Sequence, residues 1–171
     1  MKAIRNIEMR ATTLLVLIFG LTTGINARVT HIHVESRVTI DLPSFEGTGP
    51  YLKIVGTLEG EIDPIDRRSS VITDINLAPV ANGKVRYQSP FFILRPVDLS
   101  KGNGKLFYDF GNRGGKRMLQ WFNDSTASNN PTTADHFGQG FLMRKGYIVA
   151  LTGYMGHVRE GENILGAEIP F

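Results

Sequence analysis

The segment from Gly104 to Gly156 constrains the fold of this 171-residue chain most strongly. It starts with an apolar strand pattern, GKLFYDFG, which leads directly into the glycine-rich turn NRGG at residues 112–115. A polar loop, a short helical pattern and a second apolar strand, YIVALTG at residues 147–153, follow in that order. This succession predicts a parallel β–loop–α–β unit whose turn lies at the carboxyl end of its first strand.

The preceding residues are typical of β structure. From Val29 to Ile40 apolar and polar residues alternate, which predicts a half-buried strand with one solvated face. Its apolar face would carry Ile32, Val34, Val38 and Ile40. A second alternating strand is marked by Leu52, Ile54, Leu58 and Ile62.

A hairpin is expected next, with strands at Val71–Leu77 and Lys84–Val97. Asn82-Gly83 lies between them and is a strong turn signal, because both residues tolerate positive φ. The second strand contains four consecutive large apolar residues, Phe91–Leu94, which indicate a central position with both faces buried. Pro90 predicts a bulge in that strand, because proline has no N–H to donate.

The first 27 residues have the order of a secretory signal peptide. Lys2, Arg5 and Arg10 precede an apolar run that ends near Gly24, and we expect cleavage after Ala27. The protein would then be exported, to a periplasmic or extracellular location, with no membrane span after signal cleavage. An uncleaved membrane anchor is the alternative, although the run is shorter than the roughly 20 residues that a spanning helix needs.

The charge balance gives no indication of a nucleic-acid partner. The whole chain carries +3, of which +2 belongs to residues 1–27, so that +1 remains for the rest. The chain has no cysteine, and an exported protein of this kind must be held together by packing. The remaining residues divide into β-rich strands at 28–100 and the β–loop–α–β unit at 101–171. They offer about two short helices to cover strands that are apolar on both faces. We therefore expect an incomplete fold, either the amino-terminal piece of a longer protein or a chain that needs a partner.

Two segments carry a resemblance to a known family. DINLAPVANGKVRYQSPFFILRPVDLSKGNGKLFYDFGNRGGK and NNPTTADHFGQGFLMRKGYIVALTGYMG are similar to exported bacterial α/β-hydrolase domain proteins, which are several times longer. The resemblance implies a β-rich α/β fold class, the amino-terminal portion of an α/β-hydrolase-type mixed sheet with antiparallel early strands. It also implies a serine-type hydrolase, acting on a small-molecule ester or acyl substrate and needing no cofactor or metal.

The turn in this segment supplies the candidate site residues. Backbone N–H groups of Arg113, Gly114 and Gly115 could form half of an oxyanion hole, because bare backbone lets a reacting carbonyl approach within about 3 Å. A plain tight turn that uses glycine for positive φ is the competing interpretation. The chain contains no G-x-S-x-G motif, so no catalytic side chain is assigned. The nucleophile, acid and histidine are expected beyond Phe171, and the chain alone is expected to be inactive.

Other chemistry-bearing residues have simpler interpretations. His31 and His33 share a strand face that Glu35 continues, and a solvated face is favoured over a metal site. His136 and His157 have no motif around them. Trp121 and Phe122 are expected in the core, or else along an acyl pocket. A different class of function also remains open, in which residues 28–100 form an exported β-rich binding or interaction module without catalysis.

Overall fold

The computed structural model describes residues 27–110, 112–156 and 164–168. Apart from Ala27, the predicted signal peptide lies outside these residues, and so does His157. Within the described part, no helix is long and apolar enough to cross a membrane.

The fold is one mixed sheet of five strands in the order β1-β2-β3-β5-β4. The strands are β1 (Ala27–Phe45), β2 (Gly49–Ile62), β3 (Val85–Pro96), β4 (Leu106–Asp109) and β5 (Ile148–Thr152). All neighbouring pairs are antiparallel except β4 and β5, which run parallel. Three short helices lie between β4 and β5: α1 (Met118–Asn123), α2 (Ala134–Phe137) and α3 (Phe141–Arg144). The β-rich mixed sheet with few helices is thus confirmed.

The helices pack on one side of the sheet, which we call the helix face. Its core side chains are contributed by strands and helices together: Tyr51, Phe92, Leu94, Val149, Leu151, Phe137, Leu142 and Met143. The Tyr51 hydroxyl lies 3.1 Å from the carbonyl oxygen of Met143 and 3.0 Å from that of Tyr147. This contact joins β2 to the end of α3, so that the helices and the antiparallel strands form one core.

The opposite side, which we call the open face, is shaped by aromatic rings lying over glycines. Phe91 lies across Gly56 and Tyr87 lies across Gly60 on the neighbouring strand. A Cβ at Gly56 would come within 2.7 Å of the Phe91 ring, and one at Gly60 within 2.1 Å of the Tyr87 ring. These two glycines, which interrupt the alternation of β2, therefore serve close packing in the sheet.

The parallel unit leaves β4 at the edge of the sheet, with β5 as its partner. Its open-face side chains are exposed and apolar, and the ring of Tyr108 contacts that of Phe110 at 4.9 Å. Phe110 in turn lies 6.2 Å from the ring of Tyr154, just after β5. The result is an aromatic surface along this edge.

The single buried face predicted for the first strand is wrong. Ile32 is 65% exposed, and Val34 and Val38 are exposed as well, whereas Ile40 is buried. The pairing with β2 has three irregularities, and the one between Val34 and Ser36 interrupts the alternation that a single face needs. The core cluster contains Ile40 from this strand, so the helices cover only its later part.

The hairpin prediction is half wrong. Residues 71–77 form no strand; the excursion between β2 and β3 instead contains two 3₁₀ turns, Arg67–Val71 and Ile75–Leu77. Asp74 adopts φ 58°, which ends extended backbone between them. The predicted turn is present, with φ 54° at Asn82 and 76° at Gly83.

The third strand is central as predicted, between β2 and β5, but it contains no bulge at Pro90. Pairing with β2 continues in register through this residue. The Pro90 carbonyl accepts a hydrogen bond from the N–H of Gly153, beyond the last residue of β5. Because N and C=O of one residue point to the same side of an antiparallel strand, the ring nitrogen also faces the end of β5. No ladder bond to β2 is lost.

Candidate functional site

The glycine-rich turn lies where the sequence predicts it, at the carboxyl end of β4. Residues Asn112–Gly114 form a short 3₁₀ segment in which Arg113 has φ 51° and ψ 39°. Gly114 follows with φ 76°, so two successive residues adopt left-handed backbone. Such a conformation costs a side chain about 1–2 kcal/mol, which favours glycine at 114 and leaves Arg113 strained.

A short segment, residues 164–168, lies over this turn; we call it the strap. The N–H of Leu165 donates to the carbonyl oxygen of Gly114 at 3.1 Å. A Cβ at Gly114 would come within 2.4 Å of the Leu165 carbonyl oxygen and 2.8 Å of the Ile164 side chain. Further along the strap, the N–H of Ala167 donates a hydrogen bond to the carbonyl oxygen of Met155. The backbones of Glu168 and Gln88 exchange two hydrogen bonds, each N–H donating to the other residue's carbonyl oxygen. Gly114 is therefore buried, Gly115 is half-buried and Arg113 is exposed.

Asp109, the last residue of β4, adds a half-buried carboxyl group beside the turn. It accepts a hydrogen bond from the N–H of Met118, at the start of α1. Its Oδ2 is buried and has no hydrogen-bond partner among the described residues. Burial raises the pKa of this carboxyl, and the bond from Met118 opposes that rise. An aspartic acid that keeps its proton more readily than usual thus lies next to the predicted donors.

Two buried lysines lie beneath the same region, on the helix face. Lys116 directly follows the turn, and Lys53 projects from β2. The Lys53 ammonium donates to Asn130 Oδ1 at 2.9 Å, and the Lys116 backbone N–H donates to Asn129 Oδ1 at 3.0 Å. The Lys116 ammonium lies 5.3 Å from the centre of the Phe92 ring. The asparagine pair therefore anchors the polar loop on both lysines.

The electrostatics of this pair follow from burial. Burial, and secondly the charge of Lys53, lowers the pKa of Lys116 to about 8. Burial also lowers the pKa of Lys53. Positive charge held in this position favours any negative charge that develops near the turn.

No protein-family model, curated protein or solved structure matches this chain.

The three histidines in the described part of the chain each contact polar groups. His31 and His33 stack with ring centres 6.0 Å apart, and both face Glu59 of β2, at 3.5 Å and 3.1 Å. Among the described residues, no group of three or more histidine, cysteine or acidic side chains is arranged to hold a metal ion. His136 Nδ1 accepts the N–H groups of Thr132 and Thr133, so this histidine caps α2.

The expectation of a core position for Trp121 and Phe122 is wrong, because both are exposed on α1. The rings of Phe122 and Phe107 meet in a T-shaped arrangement, with their centres 4.9 Å apart. The carboxyl of Asp109 and the buried lysines were missed by sequence reasoning. Asp109 had a usable signal, since it is the acidic residue that closes an apolar strand directly before a glycine turn. Lys53 had no such signal, because a lysine at a polar position of an alternating strand is usually on the surface.

Proposed function

We propose that this chain forms the amino-terminal part of an exported serine-type α/β-hydrolase that cleaves carboxylic esters. The observation that carries the proposal is the parallel β4–β5 unit, with a left-handed Arg113-Gly114 turn directly after β4. Hydrolases of this type take one oxyanion donor from the loop between the third strand and the first helix. If β2 is counted as the first strand, β4 is the third, and the turn lies between β4 and α1.

In the proposed reaction, a serine hydroxyl from beyond Phe171 attacks the ester carbonyl while a histidine takes its proton. The carbonyl oxygen becomes an oxyanion, which accepts hydrogen bonds from the N–H groups at residues 113–115. The C–O bond to the alcohol breaks, the histidine returns the proton to the alcohol, and water then releases the acid from the acyl-enzyme. Lys116 and Lys53 add positive potential under the turn.

The strap has a defined role in this proposal. Ile164 and Leu165 lie over Gly114, and in the proposed reaction the strap moves aside to admit a carbonyl to the turn. The hydrogen bonds at Leu165, Ala167 and Glu168 oppose that movement. Substrate entry is therefore coupled to displacement of residues 164–168.

The proposal is tested on the longer protein. The nucleotide sequence downstream of the codon for Phe171 should continue in frame and encode a G-x-S-x-G motif. In the protein so defined, Gly115→Pro removes one N–H donor and should lower kcat/KM for a p-nitrophenyl ester about 10²–10³-fold. Gly115→Ala keeps the N–H and serves as the matched control. A frame that closes without the motif, or a Gly115→Pro protein with full activity, would sink the proposal.

The alternative, an exported binding module without catalysis, is supported by an apolar groove on the open face. Residues 28–100 supply only part of its lining, because Thr152, Tyr154 and Ala167 complete it. A binding function therefore needs both halves of the chain. Limited proteolysis tests whether residues 28–100 form a module of their own. A stable fragment that ends near residue 100 would show these β-rich strands to be self-sufficient.

A further inference from the structure

The groove on the open face is formed between the sheet and the excursion at residues 63–84. Its floor consists of apolar side chains from β2 and β3, including Leu58, Ile62 and Val85. Its outer wall is the second 3₁₀ turn, with Ile75 and Leu77. The strap closes one end with Ala167. Val29 of β1 and Thr152 of β5 also line the groove, so several separate parts of the chain build it and it is a feature of the folded protein.

The groove has the size and surface of a small-molecule site. Its volume is about 760 Å³, within the range of about 300–1,000 Å³ that is usual for ligand pockets. Leu77 on its wall is 73% exposed, an arrangement that costs hydration free energy unless something covers it. Two hydroxyls of the lining are already engaged, since Ser89 donates to the Gly153 carbonyl and Thr152 pairs with the Tyr108 hydroxyl. A ligand is therefore held chiefly by an apolar body.

The charge of the lining indicates which polar group a ligand would carry in addition to its apolar body. Among the described residues that line the groove, Asp74 alone is charged. The excursion's other carboxylates face lysine or arginine, since Asp63 pairs with Lys84 and Asp66 with Arg68. Within the part of the chain that the structure describes, Asp74 makes no such ion pair, and its side chain does not cap the turn that follows it. Its left-handed backbone places an exposed carboxylate at the rim of an apolar groove.

We propose that this groove binds an amphiphilic cation, a molecule with an aliphatic or flat apolar body and an ammonium-type head that pairs with Asp74. The site lies on the open face and does not include residues 113–115. Both proposals involve the strap, but this one does not rest on the ester chemistry, and either can fail without the other.

The test measures binding to the full chain by isothermal titration calorimetry at neutral pH, below the micelle-forming concentration of each probe. Decyltrimethylammonium should bind at one site per chain, at least about threefold tighter than decanoate, as an exposed ion pair allows. Butyltrimethylammonium, which has the same head and a short tail, should bind far more weakly because it buries little apolar area.

Two variants and one control test the assignment. Asp74→Asn should bring the affinities for the two decyl probes to within about twofold of each other. Leu77→Lys, at an exposed position on the wall, should weaken decyltrimethylammonium and strengthen decanoate. Leu99→Lys makes the same change at another exposed leucine outside the lining and should leave both affinities unchanged.

Three results would overturn the proposal. One is decanoate binding as tightly as decyltrimethylammonium, and another is Leu99→Lys acting like Leu77→Lys, which indicates general detergent adsorption. The third is a chain that sediments as a dimer, binds no probe and becomes monomeric with Leu77→Lys. In that case a second copy of the chain, and not a small cation, would occupy the groove.

Discussion

The backbone N–H of Leu165 donates to the carbonyl oxygen of Gly114 at 3.1 Å. This single bond joins the strap to the turn after β4, at a residue whose φ of 76° already favours glycine. The covering contact and the backbone conformation therefore impose the same requirement on position 114.

Replacing Gly114 by alanine should destabilise the protein by more than about 2 kcal/mol. The Cβ adds the cost of a left-handed conformation, about 1–2 kcal/mol, to a clash with the Leu165 carbonyl oxygen. Gly83→Ala is the matched control, because Gly83 has the same φ of 76° but no atom within 4 Å of the added Cβ. Urea unfolding of both variants gives the difference. Equal losses would mean that the strap does not rest on the turn.

The buried lysines predict a pH dependence of stability. The pKa of Lys116 is about 8 in the folded chain, against an ordinary value of 10.5. Between these two values the unfolded state binds more protons than the folded state, so the free energy of unfolding should rise with pH. Below about pH 8 the free energy of unfolding should no longer change with pH on account of Lys116, because both states carry its proton.

Lys116→Met should flatten that rise, as measured by urea unfolding at about pH 8 and about pH 10. Lys101→Met removes an exposed lysine and should leave the slope as it is in the parent chain. If Lys116→Met keeps the full slope, the lysine is solvated in solution and the region beneath the turn is open to water.

The Tyr51 hydroxyl should contribute measurably to stability. Tyr51→Phe leaves the carbonyl oxygens of Met143 and Tyr147 without this donor in a fully buried place, which costs about 1–3 kcal/mol. Tyr154→Phe alters an exposed tyrosine and should stay within about 0.5 kcal/mol of the parent. Thermal unfolding monitored by circular dichroism distinguishes the two. A silent Tyr51→Phe change would show that α3 does not dock on β2 as described.

The 171-residue chain by itself should not hydrolyse p-nitrophenyl esters, because it contains no G-x-S-x-G motif to supply the attacking hydroxyl. The measurement compares refolded chain with buffer alone. Activity above buffer that disappears with Gly114→Pro would place a working nucleophile inside the chain and contradict the proposed division of the site.

The parts of the fold set by local signals were predictable from the sequence. The Asn82-Gly83 turn and the position of NRGG each depend on a few neighbouring residues. The strand predicted at residues 71–77 is wrong, because β-branched residues form a strand only where a partner strand is present. Here the left-handed backbone of Asp74 also ends the extended conformation.

The burial of Lys53 could not be predicted, for a reason that concerns the whole sheet. Alternation in β2 distinguishes its two faces but does not show which one the helices cover. Leu52 and Ile54, the expected core positions, are half-buried on the open face, whereas Tyr51 and Lys53 lie under the helices. Likewise Asp109 is recognisable as an acid near a glycine turn, but its burial depends on α1, which is placed by long-range packing.

The two edge strands of the sheet, β1 and β4, differ in how readily another strand could pair with them. Along β1, kinks in the pairing and the charged groups of Arg28 and Arg37 discourage an approaching backbone. Along β4, the three uncharged side chains from Leu106 to Tyr108 present no comparable obstacle. Growth of this sheet by another extended segment is thus directed to one flank only, the flank beside the glycine turn.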